Sequence, residues 1–204
     1  MCYLNLDELT FKEKSAVQFY KLNNVFNENR DTIRENAAGI LNQFLATGKT
    51  TDGSTILYPE CKEIDEGLQS IFNSDKFQPI TKILYRACGI ETIAQDAFTT
   101  GREFTYPAYM STSSDKEAIQ RHCDSTEQVI LQINACDKNG VIPFEYRTND
   151  DAEYEYLINK DSQFKVTRVS EYDHLSDRQF MKEWLPSFRI EKTQKLYILN
   201  LDLL

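Results

Sequence analysis

The chain has 204 residues, and 32 acidic against 23 basic side chains give it a formal net charge of -9. That balance disfavours a broad nucleic-acid footprint, which would draw on clustered Lys and Arg, and leaves room only for a small local contact. With 41% hydrophobic residues, 12 Phe and 11 Tyr the chain can bury the core of one domain, whereas five scattered cysteines without C-x-x-C spacing argue against a disulfide framework or a zinc site.

Taken in order, the first half reads helical. Phe11, Ala16, Val17, Phe19, Tyr20 and Leu22 form one apolar stripe. Ile33, Ala37, Ile40, Leu41 and Phe44 form a second at spacings of three and four, closing at Gly48 as a C-cap. A polar turn cluster covers 48–56, and Ile64, Leu68, Ile71 and Phe72 mark a third helix. Gly48-Lys49-Thr50 echoes a phosphate loop, but Gln43 stands where its first glycine belongs, so the segment reads as a turn.

From about residue 82 the period changes. Lys82 to Ala87 reads as a short apolar strand before Cys88-Gly89. Val129 to Ala135, Phe164 to Val169 and Tyr197 to Leu203 alternate apolar and polar side chains, as half-buried strands do. The stretch 171–195 reads as a short helix within a long connection. Helices first and strands later predict an α+β fold rather than a doubly wound parallel sheet. The division expected is a single domain over 1–204, with a helical N-terminal lobe (1–78) and a β-rich core (79–204).

Three pieces of the β-rich half can carry chemistry together. Arg86 ends the strand Ile83-Leu84-Tyr85-Arg86; small hydroxyls follow an aromatic segment in Tyr109-Met110-Ser111-Thr112-Ser113; and two carboxylates two residues apart open Glu153-Tyr154-Glu155-Tyr156-Leu157-Ile158. Singly, each has a plain explanation: a solvated charge, a turn, the wet face of a strand. Jointly they suit cleavage of a ribosyl bond through an oxocarbenium-like centre, where a nearby carboxylate stabilises the developing charge. Period-two geometry puts Glu153 and Glu155 on one face of an extended segment. An arginine fork suits a pyrophosphate.

Tyr-Arg, then Ser-Thr-Ser, then Glu-x-Glu over roughly residues 80–170 resembles the R-S-E signature of the arginine-type mono-ADP-ribosyltransferases of bacterial toxins, effectors and T4-like phages. The resemblance implies a mixed β-sandwich around an NAD cleft, with the helical lobe flanking that cleft. It implies NAD as co-substrate, split at the nicotinamide–ribose bond, and no metal. Arg86 would hold the NAD phosphates, Ser111 would orient Glu155, and Thr112 and Ser113 would shape the nicotinamide pocket, with Gly89 counted among the NAD-binding residues. Glu155 would be the catalytic carboxylate and Glu153 would position the acceptor, an arginine of a target protein. The loop 142–152 would meet that target through Phe144 or Tyr146.

The sequence departs from the family in two places. Ala87 and Cys88 intervene before Gly89, and Asn159-Lys160-Asp161-Ser162 replaces the usual Pro or Gly turn. Asn and Asp can make that turn as well. The only histidines, His122 and His174, stand near no nucleophile pattern; His122, just after the Ser-Thr-Ser segment, reads as a surface residue, with a place bordering NAD as the alternative.

Three other functions stay open: an NAD glycohydrolase, a transferase with a non-arginine or nucleic-acid acceptor, and an NAD-binding module without turnover. No apolar run approaches the ~20 residues of a membrane span, and the N-terminus lacks the pattern of a signal peptide. The expectation is therefore a monomer with reduced thiols, acting in the cytoplasm of a host or infected cell on a protein partner, without a membrane.

Overall fold

The computed structural model describes residues 4–21, 25–26, 32–34, 37–49, 58–74, 77, 80, 82–135, 140–144 and 154–204. Helix α1 (Phe11–Tyr20) begins at a capping box. The Thr10 hydroxyl accepts from the Glu13 amide, and the Glu13 carboxylate accepts from the Thr10 amide. After a two-stranded ribbon, β1 (Val25–Phe26) and β2 (Thr32–Arg34), come α2 (Ala37–Thr47) and α3 (Tyr58–Phe72). Ile33 therefore lies in β2 and not on the stripe of α2; its spacing to Ala37 imitates a helical turn that the chain does not make. Gly48 does cap α2. Its φ is +72°, a left-handed conformation that glycine adopts without a side-chain clash, and its amide donates to the Phe44 carbonyl.

Gly67 sets how closely α1 and α3 pack. A Cβ at that position would stand 2.6 Å from Ala16 Cβ and 3.1 Å from the Lys12 carbonyl oxygen, so only a residue without a side chain permits the approach. An ion pair from Lys12 to Glu66 and a hydrogen bond from Ser70 to Glu13 tie the two helices along their polar edges.

The remaining eight strands form one mixed sheet in the order β4-β9-β10-β6-β3-β5-β8-β7. They are β3 (Ile83–Gly89), β4 (Glu103–Tyr106), β5 (Met110–Ser113), β6 (Glu127–Asn134), β7 (Val141–Pro143), β8 (Glu155–Ile158), β9 (Ser162–Asp173) and β10 (Lys195–Leu203). The pair β6–β10 is parallel and all others are antiparallel. Between β3 and β5 a single residue pair, Tyr85 with Ser113, joins a five-stranded half to a three-stranded half. The two halves close over a shared core, in which Leu84, Leu131, Ile133, Phe164 and Leu201 from one meet Met110, Tyr156 and Ile158 from the other. This is the sandwich that the family resemblance implied.

Each outer face is covered by helices. Helices α1–α3 pack on the three-stranded half through Tyr109, Ile142, Phe144 and Leu157. On the other side, Met181 of α4 (Arg178–Met181) and Ile190 of α5 (Ser187–Ile190) cover Ile130, Leu196 and Ile198. The stretch 171–195 thus holds the end of β9 and two short helices, where one helix was expected. Asp161 makes the β8–β9 turn at φ 58°, the left-handed conformation that Asp tolerates. The neighbouring Lys160 pairs with Asp65 of α3 at 2.6 Å, and Tyr109 Oη donates to the same carboxylate at 2.8 Å. The helical lobe is thereby fastened to the strand that carries Glu155.

Among the described residues, Cys61, Cys88 and Cys123 are buried and unbridged. No described helix is long and apolar enough to cross a membrane.

Candidate active site

Where β3 and β5 part, their ladders stop matching and a cavity of about 300 Å³ opens. That volume is in the range of small-ligand sites. Its walls are Tyr85, Arg86 and Ala87 from β3, Ser111, Thr112 and Ser113 from β5, and Glu155 at the start of β8. Tyr20 from the end of α1, and Ala38, Gly39 and Asn42 from α2, form the helical side. Ala118, Ile119 and His122 complete the rim.

Parting strands would strand backbone groups, and buried backbone groups need partners. Side chains supply them here. Arg86 donates from an Nη to the Ser111 carbonyl at 2.9 Å. Asn42 grips Tyr109 at the mouth of β5 from both sides, accepting from its amide at 3.2 Å and donating to its carbonyl at 3.0 Å. Arg86 Nε is buried without a partner, which leaves a directed donor and a permanent charge in the cavity wall. This is a binding arrangement for an anion such as a phosphate.

Glu155 lines the same cavity. The register pairs it with Ser113, and pairs Ser111 with Leu157. The hydroxyl directly across from Glu155 is therefore that of Ser113, whereas the Ser111 hydroxyl hydrogen-bonds the Tyr20 phenol. Burial pushes that phenol's pKa up, opposed by hydrogen bonds from Ser111 and Asn42 and by the charge of Arg86. Thr112 points the other way and donates to the Tyr156 carbonyl at 2.8 Å, fixing β5 to β8. Tyr154, just before Glu155, has φ 49°. Such a conformation costs a bulky residue on the order of 1 kcal/mol or more. It is held by the Ser114 amide donating to the Tyr154 carbonyl.

The sequence-predicted residues divide accordingly. Arg86, Ser111, Thr112, Ser113 and Glu155 line one cavity, although they come from three strands. Gly89, at the far end of β3, is not among the residues that line it. Glu153 and Tyr146 lie outside the described residues, as does most of the loop 142–152.

Phe144 was expected on the target-facing surface and is instead fully buried. It packs edge-on against Tyr20 with the ring centroids 5.5 Å apart. The apolar run Val141-Ile142-Pro143 carries the chain inward there, and the aromatic ring follows it. Phe144→Ala is therefore expected to destabilise the fold by about 3–5 kcal/mol, read as a lower denaturation midpoint; unchanged stability with altered target choice would restore the surface role.

The sequence reading missed Tyr20, Asn42 and Tyr85, and preferred a surface role for His122 over a place beside NAD. Tyr20 and Asn42 sit on helices far from the motifs: Tyr20 read as a residue of the apolar stripe, and Asn42 falls between stripe positions of α2. His122 does border the cavity, as an exposed residue of its rim. No cluster of three His, Cys, Asp or Glu suited to a metal occurs among the described residues.

Comparison with known structures places this fold. Vis, an ADP-ribosyltransferase from Vibrio splendidus crystallised with an inhibitor, superposes with a TM-score of 0.62 at 16% identity, over 97% of this chain and 75% of its own. The ADP-ribosylating toxin BECa from a binary enterotoxin of C. perfringens, crystallised with NADH, gives 0.65 at 16% identity. There the match covers 98% of this chain and 45% of BECa. The C3 exoenzyme of Clostridium limosum gives 0.57 at 15% identity, over 97% and 88%. No curated protein matches by sequence. The profile of the ADP-ribosyltransferase exoenzymes matches residues 6–183, most of the chain. This protein belongs to the ADP-ribosyltransferase exoenzyme family.

Proposed function

We propose that the chain splits NAD and transfers its ADP-ribose to an arginine of a target protein in a host cell. The observation that carries the proposal is the meeting of Arg86 and Glu155 in the lining of one cavity, at the joint of the two half-sheets. In this reading Arg86 holds the pyrophosphate with paired donors and fixed charge. Glu155 faces the ribose and stabilises the oxocarbenium-like charge as nicotinamide leaves. Nicotinamide departs from an already cationic state, so no general acid is required. Ser111, Thr112 and Ser113 form the wall against the nicotinamide end.

Arginine as acceptor rests on Glu153, which would share the face of Glu155 in an extended segment. It draws support from Vis, which has also been crystallised with agmatine, a guanidino compound. The test is incubation with NAD and agmatine. Mass spectrometry is expected to find ADP-ribosyl-agmatine, and Glu153→Gln is expected to lower its yield while nicotinamide release continues. NAD consumption at the same rate with and without any acceptor would make the protein a glycohydrolase. A modified residue other than arginine in a labelled extract would overturn the acceptor assignment.

A further inference from the structure

The R-S-E resemblance gives the orienting of Glu155 to a serine hydroxyl, but a close ion pair on that carboxylate comes from elsewhere in the chain. Lys21 follows the last turn of α1, at the helix end where the dipole favours a cation. Its Nζ lies 2.7 Å from Glu155 Oε2. Only 19% of the lysine side chain and 12% of the glutamate side chain are exposed, so solvent screens the pair weakly. Glu155 lines the cavity and Lys21 is not among its lining residues. The ammonium group thus approaches the carboxylate from outside the space that a ligand would fill. The buried ring of Phe144, with its centroid 5.6 Å from Nζ, backs it on that side.

We propose that Lys21 is the positioning residue of Glu155, pinning the carboxylate in the rotamer from which it faces the ribose. The proposal rests on the transferase reading above. The serine that the resemblance assigned to this work is engaged elsewhere: Ser111 pairs with Leu157 in the register and its hydroxyl bonds Tyr20, while Ser113 stands across from Glu155. A carboxylate already held in position when substrate arrives needs no reorganisation during bond cleavage. The anchoring also explains why α1 matters to the site at all. That helix carries Tyr20 into the cavity wall and Lys21 behind it, so its docking against α3 sets the position of both.

Nicotinamide release from NAD by the purified chain tests the proposal. Lys21→Met is expected to lower kcat by about 10- to 100-fold, the cost of a misplaced reacting group, with KM for NAD within about 2-fold. Lys21→Arg keeps the charge and the reach, and is expected to recover most of that loss. In a Glu155→Gln background, Lys21→Met is expected to change the residual rate by less than about 2-fold, because a residue that acts through another has nothing left to position.

Equal losses from Lys21→Met in both backgrounds would overturn the proposal, as would a change confined to KM. An unaltered kcat in Lys21→Met would do so too. If Lys21→Met fails to fold, Lys21→Arg decides between the outcomes. A wild-type rate with that variant supports a positioning cation, and a loss as large as that of Glu155→Gln goes against it. A wild-type protein that released no nicotinamide would overturn the transferase reading itself, an outcome distinct from all of these.

Discussion

Glu155→Gln is expected to slow nicotinamide release by about 10²- to 10³-fold, the usual effect of removing one preorganised group that stabilises transition-state charge. The substitution keeps volume and hydrogen-bonding capacity, so binding of NAD by calorimetry is expected to hold within a few-fold while kcat collapses. That split separates a group that acts in the transition state from one that only binds substrate. A mutant within about 2-fold of the wild-type rate would remove Glu155 from the chemistry. The measurement has to include thermal stability, because the lost charge leaves Lys21 without the carboxylate it now meets at 2.7 Å.

Arg86→Lys is expected to act on the other side of the ledger between binding and chemistry. A lysine keeps the charge but not the fork, and it cannot both reach the Ser111 carbonyl and offer paired donors to a pyrophosphate. Loss of charge-assisted hydrogen bonds worth about 1.5–3 kcal/mol corresponds to about a 10- to 100-fold weaker Kd for NAD. Isothermal calorimetry would measure that, and an unchanged Kd would show that Arg86 serves the strand joint alone. Arg86→Ala is expected to weaken binding further and to lower the melting temperature as well, since the Ser111 carbonyl loses its donor.

Much of the architecture could be read from periodicity. The stripes around Phe11–Tyr20 and Ile64–Phe72 describe helices that bury Ala16, Val17, Tyr20, Ile64, Leu68 and Ile71 from those stripes, whereas Phe11, counted in the first, is exposed. Alternation likewise identified β6, β9 and β10, which form adjacent ladders. The failures are those of purely local spacing. Ile33 stands four residues before Ala37, which suits a helix, but it lies in β2 of a two-stranded ribbon.

The site was legible as three motifs because each is a short local pattern, and the structure brings all three to one cavity. Its helical wall was not legible. Nothing near Tyr20, Lys21 or Asn42 in the sequence announces a partner, and their contacts with Ser111, Glu155 and Tyr109 exist only once α1 and α2 dock on the half-sheet. Phe144 failed in the opposite direction. The family resemblance put it in a target-facing loop, while the preceding Val141-Ile142-Pro143 strand draws it into the core.

The gap between β3 and β5 has one more consequence. A sheet opened in its middle has two new edges, and unpaired edges invite strands from other molecules. Here Asn42 occupies the ladder positions of Tyr109 and Arg86 occupies that of Ser111, so the opening offers side-chain chemistry to a small ligand and little bare backbone to a foreign strand. Substitutions that empty those two positions are thus a route to self-association as well as to lost activity, and the same residues that shape the cavity guard the molecule against its own copies.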